Sequence, residues 1–493
     1  MKLFIIHKLK LFTWAKNRTL TVFKYSRPLF YSGLLYFMLN ANVFASELPD
    51  LGDISLAQLD SKKEQEQKTI LREEIHEYLV DDLLLTDYLK KLGNRLAAQD
   101  QPHAKIEFLL VNSDEINAFA SFGRMLGVNS GLILACGNED MLASVMAHEI
   151  AHINQYHLAR AMAQQKQMMV PAIAAALGAV ALGALNSEAG VGALTATAAG
   201  MQQAQIYYTR QAEAEADRIG LQLVYKAGFN PQEFADFLEV LLKEEKLNTD
   251  GYTTEYLRTH PLTNNRIAEV KQRANQLPQK KVHPELNFLF ARERLRVTTQ
   301  PASNVIQYYE KIGEPKIYDQ KLAWHYGYAL ALLRMHKTAA AKDHIDRVIA
   351  VKANNPFSIL LLTEAAIENN DEKTAAQILA NGVQKNPNNY PLLMTYIKFL
   401  NEHNQAQLAK RIITEHPNNR DPDYMLLKAN IESAAGSPAQ AYLTRAQLAY
   451  NQNDPKMAKK LLISGLQVKN LDQNSKLELQ AKLDEIKALE KDK

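Results

Sequence analysis

The chain of 493 residues holds one cysteine, Cys136, so no intramolecular disulfide can form and any metal site has to rest on histidine and carboxylate ligands. A lone buried thiol near the region of interest is the expected state of Cys136. Beyond the N-terminal region the chain also lacks an apolar run long enough for a bilayer. The best stretch, within residues 170–185, has about 16 residues where roughly 20 are needed. The first 45 residues contain no acid at all. They carry Lys2, Lys8, Lys10, Lys16, Arg18, Lys24 and Arg27, then an apolar run from Leu29 to Met38, then Val43-Phe44-Ala45. This pattern predicts a secretory signal peptide cleaved after Ala45. The long basic stretch leaves room for a downstream start or a retained anchor, and cleavage is the preferred reading. Taking these seven basic residues from the chain's 57 leaves 50 against 54 acids, so nothing in the charge calls for nucleic acid. Export without disulfides fits the periplasm of a Gram-negative bacterium.

The remaining length is too great for one ordinary core, and the composition, 47% apolar and 23% charged, is that of a folded soluble protein. Residues 55 to 100 read as helical. Strands are expected at Ile106–Val111 and within Met125–Leu134, where glycines punctuate an apolar run. Residues 168–200 are poor in charge and rich in alanine and glycine. A lid in peripheral contact with a membrane is one reading; the preferred one is a buried or mobile helical hairpin beside the active site. From about residue 300 the pattern is helical and repeats. Ala341, Ala375 and Ala409 lie 34 residues apart, with Ile345, Leu379 and Ile413 four residues after each, and prolines at 356, 387 and 417 close the second helices. That period is the mark of tetratricopeptide repeats. A further unit, with Ala458 in the equivalent place, is expected after an insertion of about 15 residues.

The chemistry centres on His148-Glu149-Ile150-Ala151-His152. Histidines four apart share one helix face and can aim two imidazoles at one metal ion, while Glu149, about 100° round, stands beside the metal where it can take a proton from water. A chain with 13 histidines reaches this register by chance on the order of a few per cent of the time, so the surroundings have to decide. Leu142, Ala143, Val145, Met146, Ile150, Ala151 and Ile153 mark a buried helix, and Gly137-Asn138-Glu139-Asp140 is a turn and cap. A catalytic site needs a third protein ligand. Glu213 and Asp217, again four apart, can supply it, one binding the metal and the other orienting a ligand imidazole, with Glu215 pointing elsewhere.

His148 to His152 together with Glu213-Ala214-Glu215-Ala216-Asp217 resembles the zinc peptidase family that includes the HtpX and CAAX-prenyl proteases. Asn117-Ala118-Phe119-Ala120, the Gly127 to Leu134 strand, and Thr259-His260-Pro261 through Ile267 are similar to that family as well. The resemblance implies a zincin-type metallopeptidase domain, mainly α with a small β-sheet, followed by an α-helical tetratricopeptide-repeat solenoid. It implies one zinc ion per chain held by His148, His152 and Glu213, with Glu149 as general base and Asp217 supporting a ligand. His260 is expected as a regulatory fourth ligand that keeps the enzyme latent. Arg266 either stabilises the oxyanion or pairs with an acid. The strand Met125–Val128 is similar to the family's edge strand, which pairs with an extended substrate. The expected layout is a signal peptide over 1–45, peptidase over 46–285, a linker or first helical pair over 286–321, and repeats over 322–493. The implied partners are unfolded or misassembled outer-membrane β-barrel proteins and, through the repeats, the β-barrel assembly machinery, with chaperone-like and degradative outcomes. The contrasting reading is a repeat scaffold or chaperone with a silent metal site. A glutamate beside the ligands argues against it, since a structural site gains nothing from a base.

Overall fold

The computed structural model describes residues 61–100, 105–185, 187–247, 255–278, 280, 286–418 and 421–491, so the signal peptide and its cleavage after Ala45 lie outside the described residues. Helix α1 (Ser61–Ile75) leads into α2 (Leu83–Ala97), which Asp82 caps by accepting from the amides of Leu84 and Leu85 at 3.0 Å. The apolar run after it forms β1 (Glu107–Val111), and β2 (Ala118–Ser121) and β3 (Met125–Asn129) make a hairpin closed by Gly123 and Arg124 at φ 71° and 53°. The strand order is β1-β3-β2, with β3 parallel to β1 and antiparallel to β2. Gly127 is where it is because the ring of Phe119, its partner across the hairpin, lies over it; a Cβ there would come within 2.3 Å of that ring.

The strand expected within Met125–Leu134 is β3, but the strand read as running from Gly127 to Leu134 stops at Asn129; Ser130–Ala135 is a short helix, α3, turned off the sheet. The turn is fixed by Ser130 Oγ donating to Ser113 O and by the Gly131 amide bonding the same carbonyl, both at 2.8 Å. And Met125–Val128, read as an edge strand, is the middle of the sheet, since it pairs on both sides. The edge beside the catalytic helix is β2.

Helix α4 (Glu139–Asn154) carries the histidine motif. Asn138 caps it by accepting from the Met141 amide, and Glu139 and Asp140 in its first turn complement the helix dipole. It is buried nearly all round, as its apolar sequence predicts. Helices α5 (His157–Leu185) and α6 (Ser187–Lys226) follow as a long hairpin, which the sequence anticipated as a hairpin but also as buried or mobile. The described side chains show it exposed: Met169, Ile173 and Val191 are more than half open to solvent and Leu177 nearly half. Away from the catalytic helix, α5 and α6 have little but each other to pack on, so most of each surface stays outside. Among the described residues no helix is long and apolar enough to cross a membrane.

Only the last third of α6 enters the core, and there Gly220 lets it pass α4 closely; a Cβ at that position would stand 3.1 Å from the His148 amide nitrogen. Then come α7 (Gln232–Leu247), α8 (Glu255–Thr259) and α9 (Asn264–Asn275).

The pair α10 (Leu286–Thr299) and α11 (Ala302–Ile312) leads into five further helix pairs. These are α12 (Tyr318–Arg334) with α13 (Thr338–Lys352), α14 (Pro356–Glu368) with α15 (Glu372–Lys385), and α16 (Tyr390–Glu402) with α17 (Ala406–Glu415). They continue as α18 (Pro422–Ala434) with α19 (Pro438–Asn451), and α20 (Pro455–Leu466) with α21 (Gln473–Lys491). Ala341, Ala375, Ala409 and Ala458 are all fully buried, as the 34-residue pattern requires. The turn inside successive pairs also repeats at 34: His336, Asn370 and Asn404 sit at φ 56°, 57° and 60°. Ala458 lies in α20, which opens its pair, whereas Ala341, Ala375 and Ala409 lie in second helices, so the expected insertion of about 15 residues amounts to a shift of half a repeat. Pro356 does not close a helix but opens α14 at its first turn.

From Lys63 to Lys493 the chain is one compact unit, and a single apolar cluster runs from Val80 through the sheet and α4 into the repeat helices as far as Phe399.

Candidate metal centre

The two histidines of α4, Glu213 of α6 and His260, just after α8, bring one ligand atom each into a space where all four lie within 4.8 Å of one another. His148 Nε2 is 3.0 Å from His152 Nε2, 3.4 Å from His260 Nδ1 and 3.3 Å from Glu213 Oε2. Glu213 Oε1 is 3.4 Å from His152 Nε2 and 3.0 Å from His260 Nδ1. Four ligands at about 2.05 Å from a tetrahedral zinc would be separated by about 3.3 Å; the donor set fits that ion in type and number, and the separations of 3.0–3.4 Å, with Glu213 offering Oε2 to His148 and Oε1 to His152 and His260, lie near that value. The electrostatics agree. Burial alone would lower His148, yet Asp217 and Glu213 beside it raise it to about 9, which reports a strongly negative surround. Burial holds His152 down to about 3, so its imidazole is neutral, the form that binds a metal. Glu213 is buried, but the histidines around it keep its carboxyl well below the usual range.

Glu149 lies beside the cluster and not in it. Its Oε2 accepts from the Ala120 amide of edge strand β2 at 3.1 Å, while its buried Oε1 accepts no hydrogen bond and faces His260 Nε2 at 3.5 Å. Burial raises its carboxyl above the ordinary value. This is a buried carboxylate with one oxygen anchored and the other without a hydrogen bond.

Asp217 and Arg266 stand behind the cluster. Asp217 Oδ1 is 2.9 Å from His148 Nδ1, on the side away from the other ligand atoms. Arg266 grips Asp217 with Nε and Nη2, both at 2.8 Å, and reaches Glu213 Oε2 with Nη1 at 2.8 Å. Arg266 pairs with acids: Nε, Nη1 and Nη2 each meet a carboxylate oxygen, and Nη1 also donates to Pro261 O at 3.3 Å.

Three residues were missed by the sequence reading. The ring of Tyr256 stacks on His260 with centroids 4.7 Å apart, and its buried hydroxyl has no hydrogen-bond partner. His157 and Glu215 lie behind His152; Glu215 does point away from the cluster, but onto His157. Only the helix spacing of Tyr256 and His260, four apart, was readable as a signal.

Residues 84–274 match the model of peptidase family M48, and residues 327–493 match that of the ChAPs, the Chs5p-Arf1p-binding proteins. Over 410 residues the chain is 32% identical to the beta-barrel assembly-enhancing protease of Escherichia coli (strain K12), an alignment covering 82% of this chain and 83% of the relative. The protein of the same name from Yersinia pestis is also 32% identical over 410 residues, with 81% and 83% covered. The mitochondrial metalloendopeptidase OMA1 of Saccharomyces cerevisiae is 32% identical over 158 residues, 32% of this chain and 43% of that one. With an M48 match over the segment that builds the four-ligand cluster and relatives aligned along most of its length, this chain belongs to the M48 metalloendopeptidases, in the family of the beta-barrel assembly-enhancing proteases.

Proposed function

We propose that the protein is a zinc-dependent endopeptidase of the Gram-negative periplasm that acts in the assembly and quality control of outer-membrane β-barrel proteins. The observation that carries the chemistry is the near-tetrahedral spacing of His148 Nε2, His152 Nε2, Glu213 and His260 Nδ1 with the free Glu149 Oε1 beside them. When bound there, zinc supplies Lewis acidity to a peptide carbonyl and to the attacking water.

The rest is the work of the chain's own residues. Glu149 takes a proton at Oε1 and, with a pKa lifted by burial, returns it to the leaving amine. Asp217 holds His148 from Nδ1, and Arg266 fixes Asp217 and one oxygen of Glu213. An extended peptide adds alongside β2, whose outer edge faces Glu149 at Ala120, a mode of binding that reads backbone rather than side chains. His260 occupies the fourth ligand position and also faces Glu149 Oε1, so the resting site is closed, and the segment around His260 has to withdraw before a substrate enters.

The division of labour follows the sequence layout: a cleaved signal peptide over 1–45, catalysis over 46–285, a first helical pair over 286–321, and client or assembly-machinery binding over 322–493. The relatives' name supports barrel proteins as the clients. The exposed apolar hairpin over 168–200 is the surface available for peripheral contact with a membrane.

Cleavage of casein, an unfolded substrate, tests the enzyme reading against that of a silent scaffold. The zinc-loaded His260→Ala chain should cut it, and adding Glu149→Gln should abolish the cut. Equal cutting by both would sink the assigned base, and cutting by neither would favour the scaffold.

A further inference from the structure

Each histidine of the α4 motif has a ring nitrogen on the far side from the cluster, and the two are held differently. Behind His148 stands a carboxylate in direct contact, Asp217, itself clamped by Arg266. Behind His152 stands a second imidazole. His157 Nδ1 is 2.9 Å from His152 Nδ1, and His157 Nε2 is 3.0 Å from Glu215 Oε2, which Arg160 Nη1 meets at 3.0 Å.

His157 is buried, its ring meets that of His152 edge-on at 4.8 Å, and Tyr208 Oη donates to its backbone carbonyl at 3.2 Å. In an unbroken helix His157 would lie five steps from His152, about 140° round and facing away. The chain is broken between them: α4 ends at Asn154, and Tyr156 takes the left-handed conformation at φ 53°, costly for a residue with a side chain. That break turns α5 back so that its first residue meets the ligand.

We propose that His157 and Glu215 are positioning residues that hold His152 in the tautomer and orientation needed to bind zinc. The proposal rests on the ligand assignment made above. With His152 Nε2 directed to the metal, its Nδ1 carries the proton and donates to His157 Nδ1; His157 then carries its own proton on Nε2 and donates to Glu215. The arrangement parallels Arg266, Asp217 and His148, with one imidazole inserted. Glu213, Glu215 and Asp217 thus divide the work along one stretch of α6: ligand, support for His152, and support for His148. Groups in this position tune how firmly an imidazole is held, and their loss typically costs 10- to 100-fold in metal affinity.

The test is zinc affinity of the full chain, measured by competition with a chromophoric chelator, which needs no proteolysis. His157→Ala should bind about 10- to 100-fold more weakly and Glu215→Ala more weakly by a smaller factor. Because both act through one chain of contacts, the double variant should bind no more weakly than His157→Ala. Free imidazole should restore part of the affinity of His157→Ala and none of that of Glu215→Ala. Unchanged affinity in folded His157→Ala, or losses that multiply in the double variant, would overturn the proposal. If His157→Ala does not fold, unchanged affinity in Glu215→Ala, altered at a partly exposed position, overturns it equally. A parent chain that binds no zinc, or a His148→Ala variant that binds as the parent does, removes the ligand assignment as well; a lost site in His148→Ala with an intact one in His157→Ala removes this proposal alone.

Discussion

His260 Nδ1 stands 3.0 Å from Glu213 Oε1 while its Nε2 stands 3.5 Å from Glu149 Oε1, so one imidazole reaches both the proposed ligand Glu213 and the proposed base Glu149. Removing it should open the site. The His260→Ala variant is expected to raise basal proteolysis of casein, by about tenfold for each 1.4 kcal/mol by which the closed state is favoured. A folded, zinc-loaded variant with unchanged or lower activity would show that His260 serves the reaction instead of restraining it.

Arg266 should behave as part of the metal scaffold. Its removal leaves Asp217 and Glu213 buried without their cation, at a cost of about 3–5 kcal/mol. Arg266→Lys cannot reproduce the two-pronged grip on Asp217 and should lose zinc affinity too. The check is zinc content beside kcat: a residue acting on the oxyanion would lower kcat at full zinc occupancy, whereas this geometry predicts that occupancy falls.

The peptidase core and the repeats are joined through Arg294. Its Nε donates to Asp82 Oδ2 at 2.6 Å, and its Nη1 donates to Glu364 Oε1 at 2.9 Å, tying the cap of α2 through α10 to α14. Arg294→Ala strands two carboxylates in a largely buried place and should destabilise the chain by about 3–5 kcal/mol in chemical denaturation. The exposed pair Lys342 and Asp346 provides the contrast; Lys342→Ala should leave the denaturation midpoint nearly unchanged.

Cys136 is fully buried, and burial pushes its thiol up to about 12. Folded protein should therefore resist alkylation by iodoacetamide at pH 8, while the denatured chain, with a thiol near 8.5, reacts. The sign for stability follows. The neutral folded thiol contributes fully below pH of about 8.5, and that contribution is lost as pH rises from there towards about 12. Rapid labelling of the native chain at pH 8 would contradict the burial.

What the sequence made legible was local or repeated. His148 with His152, and Glu213 with Asp217, are each four apart, and one turn of helix is enough to put each pair on a common face. The repeats announced themselves because Ala341, Ala375 and Ala409 return at a fixed interval. What stayed hidden depends on contacts distant in sequence. The central place of β3 is decided by which strands pair with it, and nothing in Met125–Asn129 alone states that. The exposure of the α5–α6 hairpin follows because, among the described residues, no third element packs over its outer part. Arg266 could be assigned to acids only once Asp217 and Glu213 were seen to take up its donors. His157 was hidden by its spacing: five residues after His152 is the wrong face of a helix, and only the backbone turn at Tyr156 makes it a neighbour.

Whether the four ligand atoms share one zinc ion is read directly by anomalous diffraction at the zinc edge from crystals of the metal-loaded resting chain. The expected result is a single strong peak per chain bonded to His148 Nε2, His152 Nε2, Glu213 and His260 Nδ1. A peak elsewhere, or one bonded to the first three with His260 turned away and water in its place, would contradict the closed four-ligand site.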